Sequence, residues 1–337
     1  MLEKIVNYAT KVKLSDIHIH SDEPLAVRLH GEIHIQKEDF ITRKMVEEFI
    51  ASILDDQQKA HFEKQRDIDL AIEGGGLRFR VNAYNTLRGP AMVLRKIETT
   101  VPDIEKMNLP KAVMDITTQK NGLVLVTGPT GSGKSTTLAA IVNRINETRH
   151  ENIITIEDPI EFIHSTKTAL ISQREVGRDA FSFASALKAV LREDPDVILL
   201  GEMRDLETVS LALTAAETGH LVFGTLHTNG APNSINRILD VFPPAQQAQA
   251  RSQLSQSIRL VVTQRLIRKA DGSGRVAAFE VMLGNIAVAN LIREGKIFQI
   301  EQAMQTGKGQ GMLLMKDSIE QLIAAGTIKR EDVADVH

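Results

Sequence analysis

Hydrophobic and polar positions divide the chain into two regions with different patterns. In the first region, short segments alternate apolar and polar side chains, which is typical of half-buried strands. Strands of this kind are predicted at 16–20, 25–29, 67–71, 77–84 and 91–97. Apolar positions at helical spacing predict one or two helices within 44–64, and turns are predicted at His30-Gly31-Glu32 and Gly74-Gly75-Gly76. We therefore predict a small α+β domain over 1–98.

The second region has fully apolar runs separated by helical segments, a pattern that indicates buried parallel strands. Such runs lie at 123–126, 153–156, 197–200 and 221–225. Strands that alternate with helices predict a parallel sheet covered on both faces, and hence an α/β domain over 112–337. Residues 99–111 are predicted to be a linker, and several helices are predicted from about 245 to 337.

A glycine-rich loop follows the first apolar run and precedes a helical segment. It fits the G-x-x-x-x-G-K-[ST] pattern, whose backbone N–H groups surround nucleotide phosphates because glycines allow a close approach. The predicted nucleotide-binding residues are Gly128, Pro129, Thr130, Gly131, Ser132, Gly133, Lys134, Ser135 and Thr136. Lys134 is predicted to reach the β- and γ-phosphates of ATP, and Ser135 to ligate Mg²⁺. A glycine-rich turn without a ligand is the alternative, but the strand and helix on either side favour the nucleotide site.

Three carboxylates follow the apolar run at 153–156. Glu157, Asp158 and Glu161 surround a proline, at the strand end where open parallel sheets bind ligands. Carboxylates beside a Mg²⁺–phosphate site can ligate the metal through water or polarise an attacking water. We predict that Glu157 and Asp158 contribute to cofactor binding and that Glu161 is catalytic. The alternative is an ordinary acidic turn.

A further carboxylate, Glu202, follows the run at 197–200 and is the predicted general base for the attacking water. The alternative for this residue is a carboxylate that caps a helix. Gly201 stands where such strands commonly end in aspartate. Ser135 and water, with Glu157 or Asp158, are therefore expected to supply more of the metal coordination.

Two histidines bracket the run at 221–225. His227 lies just past its carboxyl end and is the predicted sensor of the γ-phosphate, which it would contact through a hydrogen bond. His220 precedes the strand and is predicted to contribute to cofactor binding from a boundary between subunits. A structural role is the alternative for both histidines.

Taken in order, the glycine loop, the acidic segment, the Gly-Glu strand end and the histidine pair resemble the secretion ATPase superfamily. The resemblance is closest to its type IV pilus retraction ATPases and covers almost the whole chain. Residues 15–19 resemble the family's N-terminal opening, and residues 78–83 resemble a strand of its N-terminal domain. Residues 289–296 resemble a C-terminal motif associated with retraction, with Ala289 where members usually have arginine.

This resemblance implies a PAS-like N-terminal domain, a RecA-like P-loop ATPase domain with C-terminal helices, and assembly into a homohexamer. It implies a motor that couples ATP hydrolysis to domain rotation and drives pilus retraction. Arg80 and Arg95 are implied as catalytic arginines that reach the phosphates from the N-terminal domain. The implied partner is an inner-membrane pilus platform protein, and the implied location is the cytoplasmic face of the inner membrane.

The amino-acid composition distinguishes between branches of this superfamily. The chain has no cysteine, so it lacks the four-cysteine zinc motif of the extension and type II secretion relatives, which favours the retraction branch. A type IV or type II secretion-related ATPase remains the alternative within the superfamily, with the type IV relatives the nearer of the two. No segment is apolar enough to span a bilayer, and residues 1–8 do not resemble a signal peptide. Membrane association is therefore expected to be peripheral, through partners.

Two other function classes are weighed against a pilus motor. A RecA-like ring could move nucleic acid, but a net charge of −3 and the lack of a basic stripe disfavour a nucleic-acid partner. A nucleotide switch that does not hydrolyse ATP is disfavoured by the retention of Lys134, Ser135 and Glu202. His18, His20, His30 and His34 could suggest a metal site, but two of them share the polar face of one strand, which favours a structural role.

Overall fold

The computed structural model describes residues 1–12, 14–29, 32–97 and 100–333. The chain divides into two compact units, Met1–Thr100 and Val101–His337. The turn predicted at His30-Gly31 and the domain boundary predicted at 98–99 lie outside the described residues. Within the described ranges, no helix has the length and apolar character that crossing a membrane requires.

The N-terminal unit is a six-stranded antiparallel sheet with three helices. Its elements are α1 (Leu2–Lys11), β1 (Asp16–His20), β2 (Glu23–Leu29), β3 (Glu32–Ile41), α2 (Arg43–Ile53), α3 (Asp56–Gln65), β4 (Asp67–Gly74), β5 (Leu77–Thr86) and β6 (Gly89–Ile97). The strand order is β3-β2-β1-β6-β5-β4. The region predicted to hold one or two helices forms two, and each is capped by a residue whose side chain accepts a backbone N–H: Thr42 for α2 and Asp55 for α3.

The second unit contains the glycine loop and the other candidate segments. Its elements are α4 (Lys111–Asp115), β7 (Gly122–Thr127), α5 (Lys134–Thr148), β8 (Asn152–Glu157), β9 (Leu170–Glu175), α6 (Phe183–Val190), β10 (Val197–Leu200), α7 (Leu206–Glu217), β11 (Leu221–Leu226), α8 (Ala231–Asp240), α9 (Pro244–Ser257), β12 (Ile258–Arg268), β13 (Arg275–Leu283), α10 (Ile286–Arg293), α11 (Ile300–Thr306) and α12 (Met315–Ala324).

A seven-stranded sheet organises this unit in the order β13-β12-β7-β11-β10-β8-β9. All neighbouring strands are parallel except β12 and β13. Side chains alternate between two cores: Leu123 and Leu125 of β7 lie in one, and Val124 and Val126 in the other. Burial on both faces explains why the central strands read as continuous apolar runs. The carboxyl ends of β7, β11, β10 and β8 therefore meet at one edge.

The predicted fold class is confirmed, with one correction. Residues from about 245 were predicted to be helical, but α9 is followed by the long hairpin of β12 and β13 before the C-terminal helices begin. The hairpin forms because β12 pairs in parallel with β7, so its apolar side chains enter both cores of the sheet. Strands β3 and β9 and helix α1 were not predicted.

Phe223 offers a test of this core. It lies in β11 at the centre of the sheet and is fully buried. Phe223→Ala removes an aromatic ring from a closely packed site, and we expect it to lower the free energy of unfolding by about 3–5 kcal/mol. Chemical denaturation measures this change. Phe181→Ala is the matched control because Phe181 is fully exposed; an equal loss in both variants would contradict the packing described here.

Candidate active site

The glycine loop connects β7 to the first turn of α5, which begins at Lys134. Gly128, Gly131 and Gly133 all have positive φ angles, a conformation that side chains disfavour. A Cβ on Gly128 would lie 2.3 Å from the carbonyl oxygen of Gln264, so only glycine fits there. Gly131 faces open space, and the buried hydroxyl of Ser132 has no hydrogen-bond partner among the described residues. These features fit a loop that surrounds a phosphate.

Lys134 lies inside this loop with little exposure to solvent. Its Nζ donates hydrogen bonds to the carbonyl oxygens of Gly128 and Pro129 at 2.8 and 3.1 Å. Burial lowers the pKa of the lysine, and the negative charges of Glu202 and Glu161 oppose that shift. The ammonium is thus held at the loop by neutral carbonyl groups and faces two carboxylates from other strand ends.

His227 connects this lysine to the predicted general base. Its Nδ1 lies 3.4 Å from Lys134 Nζ, which can only donate, and its Nε2 lies 3.5 Å from Glu202 Oε1. The lysine contact therefore leaves the ring proton on Nε2, facing the carboxylate. Nδ1 also lies 3.5 Å from the hydroxyl of Thr130 in the loop. Lys134, Glu202 and His227, which follow β7, β10 and β11, thus form one contiguous polar group.

Glu202 is mostly buried and forms an ion pair with Arg204 as well as the histidine contact. Arg204 itself is largely exposed, and this pairing raises its pKa. This pair between Arg204 and Glu202 was not predicted from the sequence. Its position two residues after the strand-end glutamate is the signal that could have indicated the pair.

The acidic segment after β8 lies at the same edge. Glu157 lines a small cavity with Ser135, Thr155, His164 and Thr225. Burial raises the pKa of Glu157, while hydrogen bonds from Thr155 and Gln173 partly offset that effect. The structure thus brings the predicted Mg²⁺ ligand Ser135 and the Glu157 carboxylate to one cavity. This donor set of a hydroxyl and a carboxylate suits Mg²⁺, which prefers oxygen ligands.

Asp158 and Glu161 are both exposed at this edge. Asp158 acts electrostatically on Arg204, and Glu161 acts on Lys134 and Glu157. Both residues therefore contribute negative charge to the group formed by the loop and the strand ends.

His220 lies elsewhere. It precedes β11, and its Nδ1 lies 3.0 Å from the carbonyl oxygen of Ala215 and 3.3 Å from the Thr218 hydroxyl. That is the amino end of the strand, whereas His227 lies at the carboxyl end. The structure does not bring His220 together with the other candidate residues of this unit.

Arg80 and Arg95 belong to the N-terminal unit, where they lie directly opposite each other on β5 and β6. Arg95 Nε donates to the buried Asp16 carboxylate at 2.8 Å, and Arg80 lies 3.7 Å from Asp69. Both guanidinium groups remain about half or more exposed. The two candidate arginines thus form one positive patch on an antiparallel sheet.

Two glutamines near the site were missed by sequence reasoning. Gln264 on β12 is buried; its Oε1 accepts a hydrogen bond from Thr137 of α5, and its amide nitrogen packs against Gly133. Gln173 on β9 contacts the acidic segment. A polar residue within the apolar run of β12 could have drawn attention to Gln264, whereas the short, mostly polar β9 gave no comparable signal.

His164 provides a pH-dependent test of the cavity. Burial lowers the pKa of this histidine from 6.5 to about 4. As pH falls, the unfolded chain takes up a proton near pH 6.5, but the folded chain does so only near pH 4. We therefore expect the free energy of unfolding to decrease across this interval and His164 to add no further loss below it. His164→Gln is expected to show a shallower decrease in urea unfolding at about pH 7, 5.5 and 4.5.

His150→Gln is the control for this series because His150 is exposed in the same unit. Its pH dependence is expected to match that of the wild type. A wild-type slope in His164→Gln would show that the buried histidine does not contribute.

The chain is similar to known proteins along almost its whole length. The family model described as type II/IV secretion system protein matches residues 1–332. The chain is 50% identical over 306 residues to a twitching motility protein of Neisseria gonorrhoeae, covering 90% of this chain and 82% of the relative. It is 46% identical over 335 residues to the type IV pilus retraction ATPase PilT of Pseudomonas aeruginosa, covering 99% and 97%. A crystal structure of the pilus retraction motor PilT with bound ADP superposes with a TM-score of 0.92 at 43% identity, covering 99% of this chain and 96% of that one.

Proposed function

The chain belongs to the type II/IV secretion system protein family, and from this premise we propose that it is a motor ATPase of type IV pilus retraction. The resemblance to the retraction ATPases stated from the motifs is confirmed by the relatives. The reaction is hydrolysis of ATP to ADP and phosphate, and the chain is a P-loop enzyme.

One observation carries the proposal at the level of chemistry: Lys134, His227 and Glu202 meet at the carboxyl edge of the sheet beside the glycine loop. A phosphate group in the loop would lie next to a cation, a hydrogen-bond donor and a carboxylate. Phosphoryl transfer needs these groups, because catalysis consists mainly of positioning and of stabilising developing charge.

We propose the following roles within this site. The loop amides and Lys134 hold the β- and γ-phosphates of ATP, and Ser135 holds Mg²⁺ with support from Glu157 and Asp158. Bound Mg²⁺ would supply positive charge to the phosphate oxygens. Glu202 accepts a proton from the attacking water, while His227 and Glu161 position the γ-phosphate.

We propose that the site works through a cycle and not as a static arrangement. Glu202 is paired with Arg204, so the carboxylate has to exchange this partner for water before it can act as a base. Arg80 and Arg95 are proposed to reach the phosphates as the N-terminal unit moves, which would couple ATP to domain rotation. His220 is proposed to act at a contact with another subunit.

We further propose that the chain works as a homohexamer at the cytoplasmic face of the inner membrane, docked on a pilus platform protein. Support comes from the family and from Arg80 and Arg95, whose side chains stay about half or more exposed beside Asp69 and Asp16. Membrane association would be peripheral and would depend on the partner.

The proposal is tested by measuring Mg²⁺-dependent ATP hydrolysis over about three decades of protein concentration, with the oligomeric state measured in parallel. Specific activity that rises together with hexamer formation is the expected result, because assembly completes the site. Equal activity per chain in monomer and hexamer would contradict a shared site. Absence of hydrolysis at every concentration would favour a nucleotide switch over a motor.

A further inference from the structure

The acidic segment between β8 and β9 has little regular backbone structure of its own. Residues 158–169 form no helix or strand, although they carry Asp158 and Glu161. Such a segment keeps one conformation only if other groups bind its backbone N–H and C=O groups. Strand β9 supplies two of these groups, the side chains of Gln173 and Glu175, which are two residues apart and therefore lie on the same face of the strand.

Gln173 makes three hydrogen bonds to this segment and its first carboxylate. Its Oε1 accepts the backbone N–H of His164 at 2.7 Å, and its Nε2 donates to the carbonyl oxygen of Phe162 at 2.8 Å. The same Nε2 lies 3.3 Å from Glu157 Oε1. A backbone N–H only donates and a carbonyl only accepts, so these contacts fix the orientation of the amide.

Glu175 holds the same segment from the next position on that face. Its Oε2 accepts the backbone N–H of Ile160 at 3.1 Å, and its side chain is buried. The backbone N–H of Val176 donates to the carbonyl oxygen of Glu157 at 2.8 Å. The segment is therefore attached to β9 at several points, and Gln173 in addition contacts the carboxylate that lines the cavity.

Glu157 Oε1 receives a second hydrogen bond, from the Thr155 hydroxyl at 2.7 Å. The backbone N–H of Glu161 also donates to this carboxylate, so hydrogen bonds from three residues orient Glu157 in the cavity that Ser135 also lines. Outer partners that orient a metal-binding carboxylate in this way strongly affect metal affinity.

We propose that Gln173 is a positioning residue for divalent-cation binding: it fixes the Glu157 carboxylate and the backbone at 162–164 together, so that Glu157 faces Ser135. The inference rests on the proposed ATPase function for the identity of the metal site. Gln173 itself contacts neither nucleotide nor metal in this proposal; it acts through Glu157.

The experiment compares Gln173→Met, which keeps the side-chain length without hydrogen bonds, with Ser172→Ala, an exposed neighbour on the same strand. The primary readout is the Mg²⁺ concentration for half-maximal ATP hydrolysis, and the second is ADP affinity with and without Mg²⁺. We expect Gln173→Met to raise the half-saturating Mg²⁺ concentration about 10-fold or more, with ADP binding in EDTA unchanged. Ser172→Ala is expected to match the wild type. A half-saturating concentration equal to the wild type in Gln173→Met overturns the inference.

A double-variant cycle separates positioning from a general loss of structure. If Gln173 acts through Glu157, then adding Gln173→Met to Glu157→Gln should change the Mg²⁺ requirement little. Fully additive effects would overturn the inference. If Gln173→Met does not fold, Gln173→Glu tests the same point, because it retains the acceptor for His164 and places a second carboxylate beside Glu157.

The outcomes also distinguish this inference from the proposed function. Wild-type protein that binds ADP more tightly with Mg²⁺ but hydrolyses no ATP would contradict the ATPase proposal, while the Mg²⁺-dependent ADP affinity of Gln173→Met would still test the positioning role. Normal hydrolysis with an unchanged Mg²⁺ requirement in Gln173→Met would contradict only the positioning role.

Discussion

Glu202→Gln is expected to lower kcat for ATP hydrolysis by about 10²- to 10⁴-fold, the range over which a general base contributes. The amide keeps the size of the side chain and its hydrogen bonds to neighbouring donors, but it cannot take a proton from water. Nucleotide binding should remain close to wild type, since Lys134 and the loop are unchanged. Single-turnover hydrolysis and ADP affinity measured on the same preparation separate the two effects.

Glu207→Gln is the matched control for this change. Glu207 lies in the first turn of α7, is more than half exposed and pairs with Lys188, away from the glycine loop. Its turnover should equal that of the wild type. Wild-type turnover in Glu202→Gln would exclude Glu202 as the base and direct attention to Glu157 or Glu161.

Lys134→Ala is expected to weaken ATP and ADP binding by about 10- to 150-fold, because a hydrogen bond to a charged group contributes about 1.5–3 kcal/mol. The substitution also removes the hydrogen bonds to Gly128 and Pro129, so the loop loses its internal link as well as its cation. Isothermal titration with ADP measures the affinity, and thermal unfolding without nucleotide measures the effect on the loop.

Lys188→Ala provides the comparison, since Lys188 is exposed on α6 and pairs with Glu207. Its ADP affinity should be unchanged. Undiminished ADP affinity in Lys134→Ala would contradict a role for Lys134 in binding phosphate. A loss of affinity in both variants would indicate a general effect of lowering the positive charge.

The central strands of the second unit could be predicted because burial on both faces requires continuous apolar runs, and β7, β8, β10 and β11 show them. Strand β9 lies at the sheet edge and consists largely of polar residues, so the same signal is absent. The hairpin of β12 and β13 was predicted to be helical because the periodicity of a short apolar run does not distinguish a strand from a buried helix. The pairing of β12 with β7 determines that the segment is a strand.

The candidate site divides in a similar way. Lys134, Glu202 and His227 could be selected from sequence because each follows a predicted strand, and parallel strands bring such positions to one edge. Gln173 and Gln264 could not, since their partners Glu157 and Thr137 lie 16 and 127 residues away in sequence. The pairing of Glu202 with Arg204 depends on side-chain directions in the connection between β10 and α7, which strand order alone does not determine.

The facing arginines of the N-terminal unit have a consequence for evolution as well as for chemistry. Like charges directly opposite each other on neighbouring strands destabilise a sheet, and here each arginine pairs with an aspartate, Arg95 with Asp16 and Arg80 with Asp69. Selection for folding alone would replace one arginine with a neutral β-former such as threonine. Under the proposed phosphate-binding role of these arginines, the sheet gives up stability for affinity, and a phosphate bound between them would reduce the repulsion.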